Sequence, residues 1–144
     1  MVVVAAVDRS DHAKQVVKQG ETLAKQFDDE LHILHIISRS EFRNLQRENI
    51  DRNDEAIDME SIREFAAKQA EKAAEDIEGP YETVGRVGDA SSDVVSYAKK
   101  HAARYIVIGG RKRSPAGKAV FGSTAQSILL NSESPVISII KDES

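Results

Sequence analysis

The sequence predicts an α/β fold: one domain, residues 1–144, whose doubly wound five-stranded parallel sheet carries helices on both faces, as in Rossmann-like proteins. Strand-like apolar runs alternate with helix-like stretches along the whole chain, which is typical of parallel sheets covered by helices. The length of 144 residues suits one ordinary domain. The first apolar run is continuous, as expected of a strand buried on both faces.

The first three elements are clear from their apolar spacing. Val2 to Val7 is the opening strand, and Leu31 to Ile37 is the second. Between them, Ser10 to Phe27 keeps its apolar residues on one helical stripe, with Ser10 or Asp11 as the N-cap.

The next segment, Ser38 to Asp58, is mostly polar and has only four apolar residues. Its pattern fits either a partly helical excursion or a mobile flap. A flap beside a binding site would be functional, but a variable surface insertion is the favoured interpretation.

The second half of the chain continues the alternation of helix and strand. Gly79 and Pro80 end the next helix. The elements are a helix over Met59 to Ile77, a strand over Tyr81 to Val87, a helix over Ser92 to His101, a strand over Tyr105 to Gly109, a helix over Gly122 to Asn131 and a strand over Val136 to Ile140. The sequence therefore predicts five strands and four helices.

Composition argues against several classes of partner. A net charge of −4 and a pI near 5.6 disfavour general nucleic-acid binding, which usually requires a basic excess. No apolar run approaches the roughly 20 residues that cross a bilayer, so no membrane partner is expected. The absence of cysteine fits a reducing compartment, and cytoplasm is the expected location.

A glycine-rich basic loop between the fourth strand and the last helix suggests phosphate binding. Gly109, Gly110 and Gly117 leave space for backbone N–H groups to turn toward an anion. The N–H groups and the dipole at the start of the last helix also favour an anion. The cationic residues are Arg111, Lys112, Arg113 and Lys118, and the helix starts at Gly122, Ser123 and Thr124. The alternative is a solvated connection in which Ser123 or Thr124 is only an N-cap.

Ligands of doubly wound sheets bind beyond the carboxyl ends of the strands. Asp8, Ile36 and Gly109 lie at three such ends, so a carboxylate, apolar backbone and a phosphate cradle would converge on a nucleotide. Asp8 alone could equally be a helix cap. The loop lacks the Walker ending, and the first strand does not lead into G-x-G-x-x-G. His32 and His35 point to opposite faces of their strand, so they form no metal pair.

These residues resemble the universal stress proteins of the UspA type over essentially the whole chain. Asp8 with Ser10 is similar to the V-D-x-S start of that family. The nucleotide motif of its ATP-binding members is G-2x-G-9x-G-(S/T), which Gly109, Gly122 and Ser123 match. The second glycine of the motif is replaced by Lys112, which supplies a positive charge but less backbone freedom.

The resemblance implies a strand order of 3-2-1-4-5 and a bound ATP accompanied by Mg²⁺ or Mn²⁺. It implies that Asp8 contacts ribose or the metal and that Ile36 offers backbone to adenine. The implied phosphate contacts are Gly109, Lys112, Gly122 and Ser123, with Thr124 and Arg111 as further candidates. It also implies a homodimer through the apolar last strand, Val136 to Ile140, which would otherwise be an unpaired edge.

Three functions remain open at this level. The first is a regulatory, non-catalytic nucleotide switch, which needs different ligand affinity in two states. The second is a dimeric stress-response interaction module that has lost ATP binding, which Lys112 favours. The third is a slow ATP hydrolase, for which only Asp8 and Ser123 are candidate groups. The expected assignment is the non-catalytic switch, without an enzymatic activity.

Overall fold

The structure is a computed structural model that describes residues 1–10, 12–53, 56–113 and 119–140. For residues 53, 111–113, 119 and 120 it describes the backbone alone. Asp11, Gly117 and Lys118, which the sequence analysis singled out, lie outside the described residues. No helix in the described ranges is long and apolar enough to cross a membrane.

Five parallel strands form the sheet in the order β3-β2-β1-β4-β6, which confirms the predicted five-stranded sheet and its order. A short β5 pairs antiparallel with the end of β4 and was not predicted. Strand β4 also continues four residues beyond the predicted end at Gly109. The strands are β1 (Val2–Val7), β2 (Glu30–Ser38), β3 (Glu82–Gly88), β4 (Ala103–Arg113), β5 (Ala119–Val120) and β6 (Val136–Ile140).

Five helices are described, one more than predicted. The additional helix is α2, so the described part of the segment after β2 is mostly helical, as in the partly helical alternative. The helices are α1 (Ala13–Phe27), α2 (Arg39–Asn53), α3 (Met59–Ala73), α4 (Ala90–Lys100) and α5 (Ser123–Asn131). Helix α1 begins at Ala13 with His12 as its N-cap, so the prediction that Ser10 caps it was wrong.

The two faces of the sheet have separate cores, because side chains alternate along each strand. Val3 and Ala5 of β1 pack toward α1 and α3, whereas Val2 and Val4 pack toward α4 and α5. A third cluster of Ile37, Ile62 and Ala66, with half-buried residues of α2 beside it, closes the carboxyl end of β2. The core therefore fixes the strand ends from both sides.

Gly85 lets α3 approach the edge strand β3 closely. A Cβ at this position would lie 2.5 Å from the backbone N of Ala67 and would also overlap the carbonyl of Arg63. Because both neighbours are backbone atoms of a packed helix, they cannot rotate away. The small residue at Gly85 therefore sets the height of α3 above the sheet.

A buried carboxylate, Asp29, forms ion pairs at the amino end of the sheet. The side chain of Asp29 is only 2% exposed, and it accepts a hydrogen bond from Arg104 Nε at 2.6 Å. The amino group of Met1 lies 3.3 Å from its other oxygen. The hydrogen bond from Arg104 lowers the pKa of Asp29 below its ordinary value, although burial works in the opposite direction.

Replacing Asp29 with Asn should lower stability in a way that depends on pH. A carboxyl with a lowered folded-state pKa stabilises the protein above its unfolded-state pKa of about 3.9, and this contribution is lost as the pH falls through the folded-state value. Urea unfolding of the wild type and Asp29→Asn at pH 7, 5 and 3 should therefore show a constant difference at pH 7 and 5 that shrinks at pH 3. Asp76→Asn, at an exposed carboxylate, is the control and should change little. A difference that grows toward pH 3 would contradict the role of this ion pair.

Candidate functional site

The carboxyl ends of β1, β2 and β4 lie side by side and define the candidate site. Val7 of β1 pairs with His35 of β2, and Ala5 of β1 pairs with Val107 of β4. Asp8 therefore follows the central strand, with Ile36 beside it in β2 and Gly109 in β4 at the level where β1 ends. The structure thus brings these three predicted residues to adjoining strands at one level, although β4 continues beyond Gly109 to Arg113.

Asp8 is exposed and its carboxylate has a fixed orientation. Its Oδ1 accepts hydrogen bonds from the backbone N–H of Ser10 at 2.9 Å and from the Ser10 hydroxyl at 2.6 Å. Asp8 does not cap α1, because the N-cap of that helix is His12. Within the described chain no donor contacts Oδ2, so this oxygen is available to a hydroxyl group or a hydrated cation.

The start of α5 presents backbone donors without a side-chain cap. Gly122 is the N-cap, with extended backbone at φ −72° and ψ 170°. Ser123 and Thr124 follow as exposed first-turn residues, so the alternative in which one of them is the N-cap was wrong. N–H groups that no side chain satisfies, together with the positive end of the helix dipole, form an anion-binding arrangement.

Strand β5 carries the chain back to the end of β4, so α5 begins beside it. The backbone of Arg111 pairs with Val120, and the ring of Phe121 would be 3.2 Å from a Cβ at Gly110. The register of this ladder shifts between Arg111 and Arg113, which places Lys112 at an irregularity of the strand. The backbone is thus irregular where the family motif has its second glycine.

His12 connects three elements at this end of the sheet. Its ring is 7% exposed, and Nε2 donates a hydrogen bond to the carbonyl of Ile139 in β6 at 2.6 Å. Its Nδ1 lies 2.9 Å from the Gln15 side-chain amide. Periodicity along α1 does not predict this burial, because it carries no information on a neighbouring strand that lacks a side chain.

Gly109 has no side chain and therefore leaves room for the His12 ring. A Cβ there would be 2.8 Å from Cδ2 of His12 and 3.4 Å from Val16. Gly109 and Gly110 pair regularly with β6, and Gly110 makes room for Ile140. Packing therefore gives both glycines a structural reason that the sequence analysis did not include.

His35 lies near the carboxyl end of β2, on the face of the sheet covered by α1 and α3. Its ring is 3% exposed, and Nδ1 donates to the carbonyl of Val7 at 2.9 Å. His32 lies on the opposite face, with Nδ1 2.6 Å from the Tyr97 hydroxyl, which confirms that the two histidines diverge. Across the described ranges, no three histidine or carboxylate side chains converge on a point that could hold a metal ion.

Comparison with known proteins gives one consistent family. The model of the universal stress protein family matches residues 1–139. A universal stress protein of Methanocaldococcus jannaschii is 27% identical over 139 residues, which cover 96% of this chain and 81% of that protein. The solved structure of a universal stress protein from Archaeoglobus fulgidus is 28% identical, with 96% of each chain covered and a TM-score of 0.60. Another from that organism, in complex with dAMP, is 24% identical, covers 96% of this chain and 95% of its own, and has a TM-score of 0.56.

Replacing Gly109 with Ala should destabilise the protein by about 1–3 kcal/mol, because the new methyl group overlaps a ring that is buried and hydrogen-bonded. Removing that ring should relieve the overlap. The double variant Gly109→Ala/His12→Ala should therefore be at least about 1 kcal/mol more stable than the sum of the single effects predicts.

The free energies of unfolding in urea measure this coupling. Gly109→Ala combined with Lys18→Ala, at an exposed position of α1, is the control and should be additive. Additive effects in the His12 pair as well would show that Gly109 is not needed to accommodate the imidazole.

Proposed function

The chain belongs to the universal stress protein family, and from that premise we propose that it binds ATP and acts as a regulatory, non-catalytic dimeric switch in a stress response. The observation that carries the proposal is the uncapped start of α5 beside the end of β4. The relative solved in complex with dAMP supports a nucleotide as the ligand class. Cytoplasm is the location we propose, since a chain without cysteine suits a reducing compartment.

In this proposal the nucleotide lies across the strand ends. Asp8 accepts from the ribose hydroxyls through the oxygen that Ser10 does not contact. The backbone of Ile36 lies beside adenine at the end of β2. The phosphates lie among Gly109, Lys112, Gly122 and Ser123, with Thr124 and Arg111 as additional contacts.

A divalent cation, Mg²⁺ or Mn²⁺, would accompany ATP. Hard cations prefer oxygen ligands, and the phosphates supply most of them. Asp8 is the side chain proposed to complete the coordination, because its carboxylate is exposed and oriented at the strand end. The cation would neutralise phosphate charge, and the protein residues would position the nucleotide.

Binding without catalysis is the preferred form of the proposal. Phosphoryl transfer requires a group that positions the attacking nucleophile as well as a phosphate cradle. Near the proposed phosphates, Asp8 and Ser123 are the candidates among the described side chains, and Asp8 is already assigned to ribose or metal. A slow hydrolase and a module without ATP are the two competing functions.

Dimer formation through β6 is part of the same proposal. Strand β6 pairs with β4 on one side, and its residues are half-buried and largely apolar. An apolar edge strand that stays unpaired is a risk for aggregation. Antiparallel pairing with a second copy would satisfy its free backbone groups. His12 then connects the nucleotide end of α1 with the dimer strand.

Gly122→Asp tests the nucleotide site without weakening the helix. Aspartate is a good N-cap at an extended backbone position, so the variant should fold at least as stably as the wild type. Its carboxylate would occupy the place of a phosphate and repel it, so ATP affinity should fall at least about 100-fold, or about 2.7 kcal/mol. Gly122→Asn, a neutral cap of the same shape, occupies the same N–H group without adding a charge and should therefore lose much less affinity than Gly122→Asp. Isothermal titration with ATP, with and without Mg²⁺, measures both variants.

The same titration separates the competing functions. No binding of millimolar ATP to folded, nucleotide-free wild type would reject the nucleotide switch and leave the interaction module. Equal affinity in Gly122→Asp and the wild type would place ATP elsewhere. ATP turnover that scales with protein and is lost in Asp8→Ala would instead support the hydrolase.

Ile137→Lys tests the dimer. In analytical ultracentrifugation the wild type should have a mass of about 32 kDa, twice the chain mass of 15.8 kDa. A lysine on the edge strand should weaken association at least about tenfold, because charges disfavour edge pairing. Ile50→Lys is the control, because Ile50 is 47% exposed on α2 at the other edge of the sheet. A monomeric wild type at 100 μM, or equal loss of dimer in both variants, would contradict pairing through β6.

A further inference from the structure

A pocket of about 420 Å³ lies at the edge of the sheet, outside the proposed nucleotide site. Four arginines line it: Arg39 and Arg43 of α2, Arg63 of α3 and Arg86 of β3. Phe42, Met59 and Val87 also line it, and we call these seven residues the arginine pocket.

The fold brings these residues together for local reasons. Arg39 and Arg43 are four positions apart and therefore share one face of α2. Met59 and Arg63 have the same spacing at the start of α3. Arg86 lies near the carboxyl end of β3, where it pairs with Ile36 of β2, and β3 is an outer strand of the sheet.

Among the described residues, few partners balance the positive charge of the pocket. Within the described chain, Arg43 and Arg63 form no salt bridge, and Arg86 donates a hydrogen bond to the carbonyl of Gly85 at 3.0 Å. The main cause of the lowered pKa of Asp89 is the hydrogen bond from the Ser92 amide, and the positive charge of Arg39 lowers this pKa only slightly. Like charges four apart on a helix repel each other. A bound anion would remove this repulsion.

The apolar lining restricts the kind of anion. Phe42 and Val87 are half-buried and Met59 is 42% exposed, so a ligand with an apolar body would cover them. Guanidinium groups match phosphate geometry through paired hydrogen bonds. Four of them suit a group with two negative charges better than a carboxylate with one. The volume is in the range of small-molecule sites.

We propose that the arginine pocket is a second binding site, for a small organic phosphate monoester whose flat apolar body contacts Phe42 and Met59 while its phosphate contacts the arginines. The site is separate from the one beside α5. It is lined by α2, α3 and β3, whereas the residues proposed for the nucleotide site follow or lie in β1, β2, β4 and α5, and the two sets share no residue.

The test uses 1-naphthyl phosphate as the probe in isothermal titration of the full chain. It should bind once per chain, and Arg43→Gln/Arg63→Gln should weaken binding at least tenfold. Arg47→Gln/Arg52→Gln is the matched control, because it removes two exposed arginines of α2 that do not line the pocket. It should change affinity less than threefold. Inorganic phosphate and 1-naphthol should each bind at least tenfold more weakly than the probe.

Three results would overturn the proposal. They are no saturable binding of millimolar probe, equal weakening in the two double variants, and equal affinity for inorganic phosphate. The Gly122→Asp variant separates this site from the nucleotide site, because it should bind the probe as the wild type does. Loss of probe binding in that variant would place the probe beside α5 and would also overturn the proposal. Failure of ATP to bind the wild type leaves the expected result for the probe unchanged.

Discussion

The contact between His12 and Gly109 determines how the carboxyl end of the sheet is built. Because Gly109 has no side chain, the imidazole fits against β4 and reaches the carbonyl of Ile139. This contact fixes the start of α1 beside β4 and β6, and Asp8 lies in the connection just before it. A larger residue at 109 would displace the ring and with it the connection that carries Asp8.

The two proposed sites are positively charged regions of an acidic protein. One is the start of α5, where backbone N–H groups and a helix dipole attract phosphate without relying on long side chains. The other is the arginine pocket, which four arginines line together with three apolar residues. Arg9, just after β1, pairs with Glu41 of α2.

Sequence patterns predicted the sheet well because buried parallel strands are continuous apolar runs, as in Val2–Val7. They left α2 undecided because its apolar residues are few, and its helical state depends on packing against Ile37 and Ile62. They predicted that Asp8, Ile36 and Gly109 lie on adjoining strands, but they ended β4 too early, at Gly109. They missed the burial of His12 and the arginine pocket, since both depend on residues far apart in the chain that meet only in the folded protein.

Mapping of ATP·Mg²⁺ by ¹H–¹⁵N chemical shifts tests the central claim most directly. We predict that the largest changes occur at amides of residues 8–10, 109–110 and 122–125, with little change at residues 39–43 of α2. Changes concentrated at Arg39, Arg43 and Arg63 would mean that ATP occupies the arginine pocket and would contradict the proposed nucleotide site. No change at millimolar ATP would contradict nucleotide binding itself.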